Sequence, residues 1–255
     1  MILAIDIGNT NIVVGCISDQ NTWFIERIAT DLEKTSLEYA VLFHSIFEIH
    51  PVNPDDIDGS IISSVVPSIS GVVAEAIEKI LPGKKLLTVG PGIKTGLKIA
   101  IDNPAQLGAD MVVGAVAALQ EYKAPLIIID MGTATTISAI DQDKTFRGCC
   151  IVPGLMVSMR SLVSNTSQLP LIGLDAPKHV IGTNTIDSMK SGAVYGNADL
   201  LDGMITRMER ELGSGATVIA TGGLARFVIP HCSHRIHYDD GLLLKGLKIL
   251  YDRNA

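Results

Sequence analysis

A stretch near the start of the chain recurs near its middle. Residues 2–17 read ILAIDIGNTNIVVGCI and residues 126–140 read LIIIDMGTATTISAI. Both run apolar residues into Asp, one apolar residue, Gly and a cluster of Asn or Thr, then return to an apolar run. The aligned aspartates, Asp6 and Asp130, stand close to half of the 255-residue chain apart. Solenoid repeats have periods of ~20–50 residues, so this spacing predicts two similar domains in tandem. Each copy reads as a hairpin whose first strand, continuous in Ile and Leu, is buried on both faces. Gly8 and Gly132 are expected to take turn conformations closed to residues with a Cβ. Ile12–Ile17 and Thr136–Ile140 then return antiparallel.

The rest alternates between the two periodicities. A third strand is predicted at Thr22–Ile28, a helix at Ser36–Phe47, and a strand at Gly59–Val65 ending at Pro67. Ser70–Leu81 is an amphipathic helix stopped by Pro82-Gly83. An irregular Gly90–Gly96 region precedes an Ala/Val-rich helix over Pro104–Tyr122. The second half offers a strand at Phe146–Ile151, helices at Leu155–Val163 and Asn184–Leu212, a strand at Thr217–Ala220 running into Thr221-Gly222-Gly223, and a closing helix at Asp239–Leu250. Hairpins followed by alternating helices and strands predict an α/β architecture in each half. No low-complexity linker divides them. The boundary is set between 114 and 115, giving domains 1–114 and 115–255, with the Pro104–Tyr122 helix assignable to either.

Composition narrows the function classes. With 47% hydrophobic residues the chain fills a real core, which excludes intrinsic disorder. Twenty Lys+Arg against 27 Asp+Glu give a net charge of −7, so there is no basic surplus for a nucleic-acid backbone. No apolar run approaches the ~20 residues of a membrane helix. The opening MILAIDIG has no basic n-region and carries a carboxylate at Asp6, unlike a secretory signal. The cysteines, Cys16, Cys149, Cys150 and Cys232, form no CxxC pair and suit a reducing compartment, so a cytoplasmic location is expected.

The repeated turn has the chemistry of a phosphate loop. A tight Gly turn directs backbone N–H groups at an anion, and Asn9, Thr10 and Asn11 add neutral donors. Asp6 at the strand end suits a hydrated Mg²⁺. One such turn alone reads equally as a plain hairpin turn. A second copy from Asp130 and a third turn at Thr221-Gly222-Gly223 point to a nucleotide clamped between two domains. Neither a Walker A loop nor a G-x-G-x-x-G fingerprint occurs at a strand–helix junction.

Seven blocks, in order and spanning nearly the whole length, carry a family resemblance. They are Asp6–Asn11, Ser63–Pro67, Asn103-Pro104 with Gly108-Ala109-Asp110, Asp130–Thr136, Ile151–Gly154, Gly182–Thr185 with Ser191-Gly192, and Thr221–Gly223. The chain resembles the type III pantothenate kinases of the acetate kinase/sugar kinase/Hsp70/actin superfamily. The resemblance implies two tandem actin/ribonuclease H-like domains with a nucleotide cleft between them. It implies ATP-dependent phosphorylation of pantothenate to 4'-phosphopantothenate, the first step of coenzyme A biosynthesis.

By that resemblance Asp110 is the catalytic base. Asp6, Ile7, Gly8, Asn9, Thr10, Asn11, Ile12 and Val13 contact ATP, as does Thr133. Asp130 holds a monovalent cation, K⁺ or NH₄⁺, and read from the residues alone it serves equally as a second Mg²⁺ carboxylate. Gly108, Ala109, Asp110, Met111 and Thr185 contact pantothenate, with Thr185 also readable as a neighbour of a helix N-cap. ATP, Mg²⁺, the monovalent cation and a homodimer complete the expectation.

The chain departs from the family pattern at three places: Met111 replaces an Arg, Ile101 a Tyr, and Cys149 the second Gly of a Gly-Gly pair. Two other readings follow from the first two departures: a catalytically weak, nucleotide-binding regulator, or a kinase for another small hydroxyl acceptor. A phosphohydrolase or sugar kinase of the same superfamily is disfavoured by the ordered blocks. His231, Cys232, His234 and His237 match no common zinc spacing and read as a polar loop. Cys149-Cys150 reads as a buried strand pair, and Glu33-Lys34 and Arg207–Glu211 as solvated helix faces.

Overall fold

A computed structural model describes residues 1–18 and 21–255. It contains two compact units. The first comprises Met1–Leu97, Asn103–Ala117 and Gly241–Ala255, and the second Lys98–Asp102 and Ala118–Asp240.

In the first unit β1 (Ile2–Ile7), β2 (Asn11–Ile17) and β3 (Thr22–Ala29) form an antiparallel meander. Helix α1 (Ser36–Ile49) leads to β4 (Gly59–Ser64), and α2 (Pro67–Ile80) leads to β5 (Lys85–Thr88). β4 pairs parallel with β1 and β5 parallel with β4, giving the order β3-β2-β1-β4-β5. α1 starts on a capping box: Glu38 N–H donates to Thr35 Oγ1, and Thr35 N–H donates to Glu38 Oε2. α2 begins three residues before its predicted start, because Pro67 takes the first helical turn, where no N–H is needed. Lys34, expected on a helix face, instead pairs with Asp31 at 2.7 Å ahead of α1.

The predicted Pro104–Tyr122 helix is two pieces: a 3₁₀ turn at Pro104–Gln106 and α3 (Ala109–Glu121), interrupted at Leu107-Gly108. The sheet is buried on both faces. Leu3, Ile5 and Ile7 pack in the core that holds residues of α1 and α2. Ile2 and Ala4 join Val113 and Val116 of α3 with Leu244 and Leu247 of α7 (Leu242–Asn254). The division at 114/115 left this last helix with the second half. Its apolar stripe instead covers β1, β2 and β4, so it belongs to the first unit.

The second unit repeats the plan. β7 (Leu126–Met131), β8 (Ala134–Ile140) and β9 (Thr145–Pro153) form the meander, with β10 (Thr217–Thr221) parallel to β7 and β11 (Ile236–Tyr238) parallel to β10. The order is β11-β10-β7-β8-β9, extended at the β9 edge by the two-residue β6 (Lys98–Ile99). Strands β5 and β6 are absent from the sequence-based expectation. α4 (Leu155–Ser164) and α5 (Thr185–Leu212) contribute to the core on one face, and the short α6 (Ala225–Val228) lies between β10 and β11. α5 is capped by Asn184 and ends on Gly213 at φ +74°.

The vicinal cysteines are not the buried pair expected: Cys149 is exposed and Cys150 half-buried, since neighbours on a strand face opposite sides. The three clustered histidines find separate partners: His231 on Tyr195, His234 on Asp202, and His237 on Tyr122. Asp202 of α5 accepts from Ser233 N–H (2.6 Å) and His234 N–H (3.0 Å), and its Oδ1 lies 2.7 Å from His234 Nδ1. Burial opposes the charged form, but these donors outweigh it and hold the carboxyl below its usual value. A depressed folded value gives stability that is present above the unfolded value and lost as pH falls through the folded one. Asp202→Asn is therefore expected to cost about 1–3 kcal/mol near neutrality. The difference from the parent shrinks on acidification below about pH 4. Urea midpoints at pH 7 and pH 3 read this, and a difference independent of pH would contradict it.

Candidate active site

The first unit carries the first Asp-x-Gly turn at the end of β1. Gly8 N–H donates to Asn11 O (3.0 Å). The end of β3 closes over the turn: Thr30 Oγ1 donates to Gly8 O (2.6 Å) and Thr30 N–H to Thr10 O (3.0 Å). These bonds use carbonyls and leave the side chains of Asn9, Thr10 and Asn11 at the surface. Gly8 and Gly132 do not take the left-handed conformation expected of them. At Gly8 the constraint is proximity instead: a Cβ there would stand 3.1 Å from Asn11 O, which would have to give by a few tenths of an ångström. At Gly132 the nearest atom to such a Cβ is 3.6 Å away, an ordinary contact.

Strand alternation sorts the proposed ATP-side residues. Ile7 and Ile12 are wholly buried in the core shared with α1 and α2, so only their backbone is available to a ligand. Asp6, 8% exposed, lies on the opposite face with Ala4, between Val13 on β2 and Ser63 on β4. The Ser63 hydroxyl is fully buried and has no hydrogen-bond partner. In the sequence Ser63 stands within a motif block that assigns it no role, and nothing singles out Thr30. The only available signal was the register of β4 and the end of β3.

The same sheet face is covered by α3, whose first turn presents Asp110. A Cβ at Gly108 would overlap Asp110 Oδ1, which folds back over it, so a larger residue there would turn the Asp110 side chain aside. Met111 N–H donates to Asp110 Oδ1 at 2.8 Å. Burial pushes the Asp110 carboxyl above its ordinary value; the backbone N–H groups of Met111 and Asp110 pull the other way and lose. A half-buried carboxylate with a raised proton affinity is suited to accept a proton.

In the second unit Asp130 is the penultimate residue of β7, in register with Thr136 on β8 and Thr221 on β10. Alternation places it on the face away from α4 and α5, since Ile127, Ile129 and Met131 face their core. Gly222, at φ +89°, brings the turn after β10 against this residue: its Cβ would stand 2.8 Å from Asp130 Oδ1 and 2.7 Å from Met131 O. The turn itself is tied by Gly132 N–H to Ala134 O (3.0 Å) and Gly154 N–H to Thr133 O (3.0 Å), with Thr133 exposed. Thr185 is the first residue of α5 and lines a 710 Å³ cavity in the second unit with Leu155, Met159, Leu162 and Met189.

Among the described residues no three His, Cys, Asp or Glu side chains cluster as a metal cage. The donor set still fits a hydrated Mg²⁺, which commonly takes one or two carboxylates and completes its shell with phosphate oxygens and water. Asp6 would supply the carboxylate, and the orphaned Ser63 hydroxyl beside it is a polar group that could join such a shell. Asp130 is one carboxylate near the Met131 carbonyl, a hard-oxygen set that suits a weakly polarising cation.

Two sheets of the same strand order, each with an Asp-x-Gly turn after its first strand, are the fold of the actin and sugar-kinase class. Solved structures share that fold. One is component A of (R)-2-hydroxyglutaryl-CoA dehydratase from Acidaminococcus fermentans, with a TM-score of 0.56 at 13% identity, covering 98% of this chain and 96% of that one. Another is the activator of 2-hydroxyisocaproyl-CoA dehydratase from Clostridium difficile with bound ADPNP, at TM-score 0.55 and 12% identity, covering 98% and 93%. The sequence profile of type III pantothenate kinases matches residues 2–207. A type III pantothenate kinase of an Exiguobacterium species is 45% identical over 254 residues, covering 100% of this chain and 99% of that one. Its counterpart from Halalkalibacterium halodurans is 44% identical over the full length of both. The chain belongs to the type III pantothenate kinase family.

Proposed function

We infer that this chain transfers the γ-phosphoryl group of ATP to the primary hydroxyl of pantothenate, giving 4'-phosphopantothenate for coenzyme A biosynthesis. Family membership supports the reaction, and one observation carries its local chemistry: Asp110, with a raised proton affinity, on the same sheet face as Asp6. Phosphoryl transfer asks the protein for position and charge stabilisation, plus a group to take the hydroxyl proton. In this reading the Gly8–Asn11 turn and Thr133 hold the phosphates through N–H and hydroxyl donors. Gly108–Met111 and Thr185 hold pantothenate. Asp110 accepts the proton of the attacking hydroxyl. Mg²⁺, held through Asp6, would supply charge neutralisation at the phosphates.

Asp130 is the proposed site of K⁺ or NH₄⁺. The test is ADP release from MgATP with and without pantothenate, in potassium and in sodium buffer. Turnover is expected only with pantothenate, and potassium is expected to lower the KM for ATP about tenfold, an ordinary coupling between neighbouring ligands. Asp130→Asn is expected to abolish the difference between the cations. A difference that survives the substitution would remove the cation from Asp130, and hydrolysis indifferent to pantothenate would remove the acceptor.

A homodimer is part of the same reading. Leu162, Leu171, Val180, Ile181 and Ile186 of the second unit expose apolar side chains around the start of α5. Exposed apolar side chains of this kind are what a second copy would cover. No helix among the described residues is long and apolar enough to cross a membrane. We place the enzyme in the cytoplasm.

A further inference from the structure

The segment between β5 and β6, Val89–Leu97, has no regular structure and contains Gly90, Gly92 and Gly96, the last two at φ +95° and +68°. The hydrogen bonds within the segment are Ile93 N–H to Gly90 O (3.2 Å) and Leu97 N–H to Thr95 Oγ1 (3.2 Å). Its middle is held instead by the last turn of α7, some 160 residues later in the chain. Lys94 N–H donates to Asn254 Oδ1 (2.9 Å), and Asn254 Nδ2 donates back to Lys94 O (3.1 Å). One side-chain amide thus satisfies both backbone groups of one residue, as a neighbouring β-strand would. The amide is itself oriented by Asn254 Nδ2 to Leu250 O (2.8 Å), and Lys85 Nζ donates to Asn254 O (2.7 Å). Arg253 Nη1 donates to Thr95 O, and a Cβ on Gly96 would stand 2.8 Å from that Nη1.

These contacts have a consequence for the site. Ile93 and Leu97 pack on the same apolar cluster as Ala109, the residue before Asp110. From Leu97 the chain passes through β6 and Ile101, which belong to the second unit, and comes by the 3₁₀ turn at Pro104–Gln106 to Gly108–Met111, the proposed acceptor contacts. A glycine-rich loop is costly to order, at about 1–2 kcal/mol of backbone entropy per residue, so an external clamp determines whether it holds one shape.

We propose that Arg253 and Asn254 are positioning residues for the phosphoryl acceptor, fixing the Val89–Leu97 loop and with it the first turn of α3. The proposal rests on Gly108–Met111 contacting pantothenate. It places determinants of acceptor affinity at the far end of α7, in side chains that touch no substrate. Misplacement of a reacting group by about 1 Å costs about a hundredfold in rate, so a partial loosening has a measurable effect.

The experiment compares the full-length chain with Asn254→Ala, Asn254→Asp and Arg253→Met. Asn254→Asp keeps the acceptor for Lys94 N–H and loses both donors. Steady-state constants for both substrates, thermal midpoints and amide hydrogen exchange are read on the same preparations. Asn254→Ala is expected to speed exchange at residues 93–97 about tenfold. It is expected to raise the KM for pantothenate about fivefold or more, with the KM for ATP within about twofold. Arg253→Met should act in the same direction, and Asn254→Asp should fall between parent and Asn254→Ala. Faster exchange with an unchanged pantothenate KM would overturn the proposal, leaving the clamp a structural tie. A parallel rise in both KM values with a falling thermal midpoint would overturn it too, as general loosening. Gly108→Ala is measured alongside: if it leaves the pantothenate KM unmoved, the Gly108–Met111 contact itself fails, and if it raises that KM while Asn254→Ala does not, only the clamp fails.

Discussion

Replacing Asp110 by Asn is expected to lower kcat by about 10²–10⁴-fold, the usual contribution of a positioned general base. The ATP dissociation constant should stay within about twofold, because the substitution leaves the phosphate turns intact. The sign of the stability change separates this from damage. Asp110 has its folded value raised by burial. The group therefore adds no penalty below its unfolded value, and destabilises increasingly as pH rises through the folded one. Asn keeps an oxygen to accept the Met111 N–H bond and removes the buried charge. The variant should thus melt at or above the parent temperature at pH 8, inactive but no less stable. The same raised value places the acid limb of kcat/KM in the parent above the 3.8 of an ordinary aspartate, since the base works only when deprotonated. Calorimetry and a pH–rate profile on both proteins read all of this. Retained turnover would remove Asp110 from the reaction. Lost turnover with a markedly lower melting temperature would make Asp110 a structural residue.

Asp6 and Asp130 are legible in the sequence because repetition at half the chain length is not what isolated turns produce. The two sheets follow from the same repeat, and their matching orders show that it extends beyond the hairpins to β4 and β10. Asp110 is different. Its apolar flanks, Leu107 and Met111–Val113, are compatible with partial burial, but an isolated aspartate is most often exposed, so its role comes with the resemblance and its half-burial is a tertiary fact.

Where the expectation misses, the cause is packing or length. β5 is four residues long and β6 two, too short to show a period. α7 shows its apolar stripe at Leu244, Leu247 and Leu250, but a stripe does not say which sheet it will cover. Close approach decides that: a Cβ on Gly15 would stand 2.6 Å from Leu244 Cδ1, and Gly246 presses against the Val113 backbone of α3. The glycines of the phosphate turns were assigned to backbone conformation, whereas at Gly8 the constraint is proximity, which a linear sequence does not record.

Gly154 shows the same kind of hidden constraint and carries the second large effect. It precedes α4 at φ −64°, ψ 156°, a conformation open to any residue, so an alanine there meets no backbone strain. What it meets is the Gly132–Thr133 turn, the second of the two proposed phosphate turns. Its Cβ would overlap the carbonyl oxygens of Thr133 and Gly132, and Gly154 N–H is bonded to that same Thr133 oxygen at 3.0 Å. Both obstacles are backbone, so no side-chain rotation relieves them, and the turn or the start of α4 must shift. Gly154→Ala is expected to destabilise by about 1–3 kcal/mol, the range for overpacking. It should lower the melting temperature by about 2–4 °C for each kcal/mol in a chain of this size. Because the displaced turn carries Thr133, the KM for ATP should rise about tenfold or more, with the pantothenate KM less affected. Gly71→Ala is the control: Gly71 lies in α2 with nothing within 4 Å of its missing Cβ, and alanine there should stabilise by about 0.5–1 kcal/mol. Loss of ATP affinity confined to Gly154→Ala would tie nucleotide binding to the Gly132–Thr133 turn. Unchanged ATP affinity despite the lower melting temperature would mean that the turn yields without consequence and that Thr133 does not contact the nucleotide.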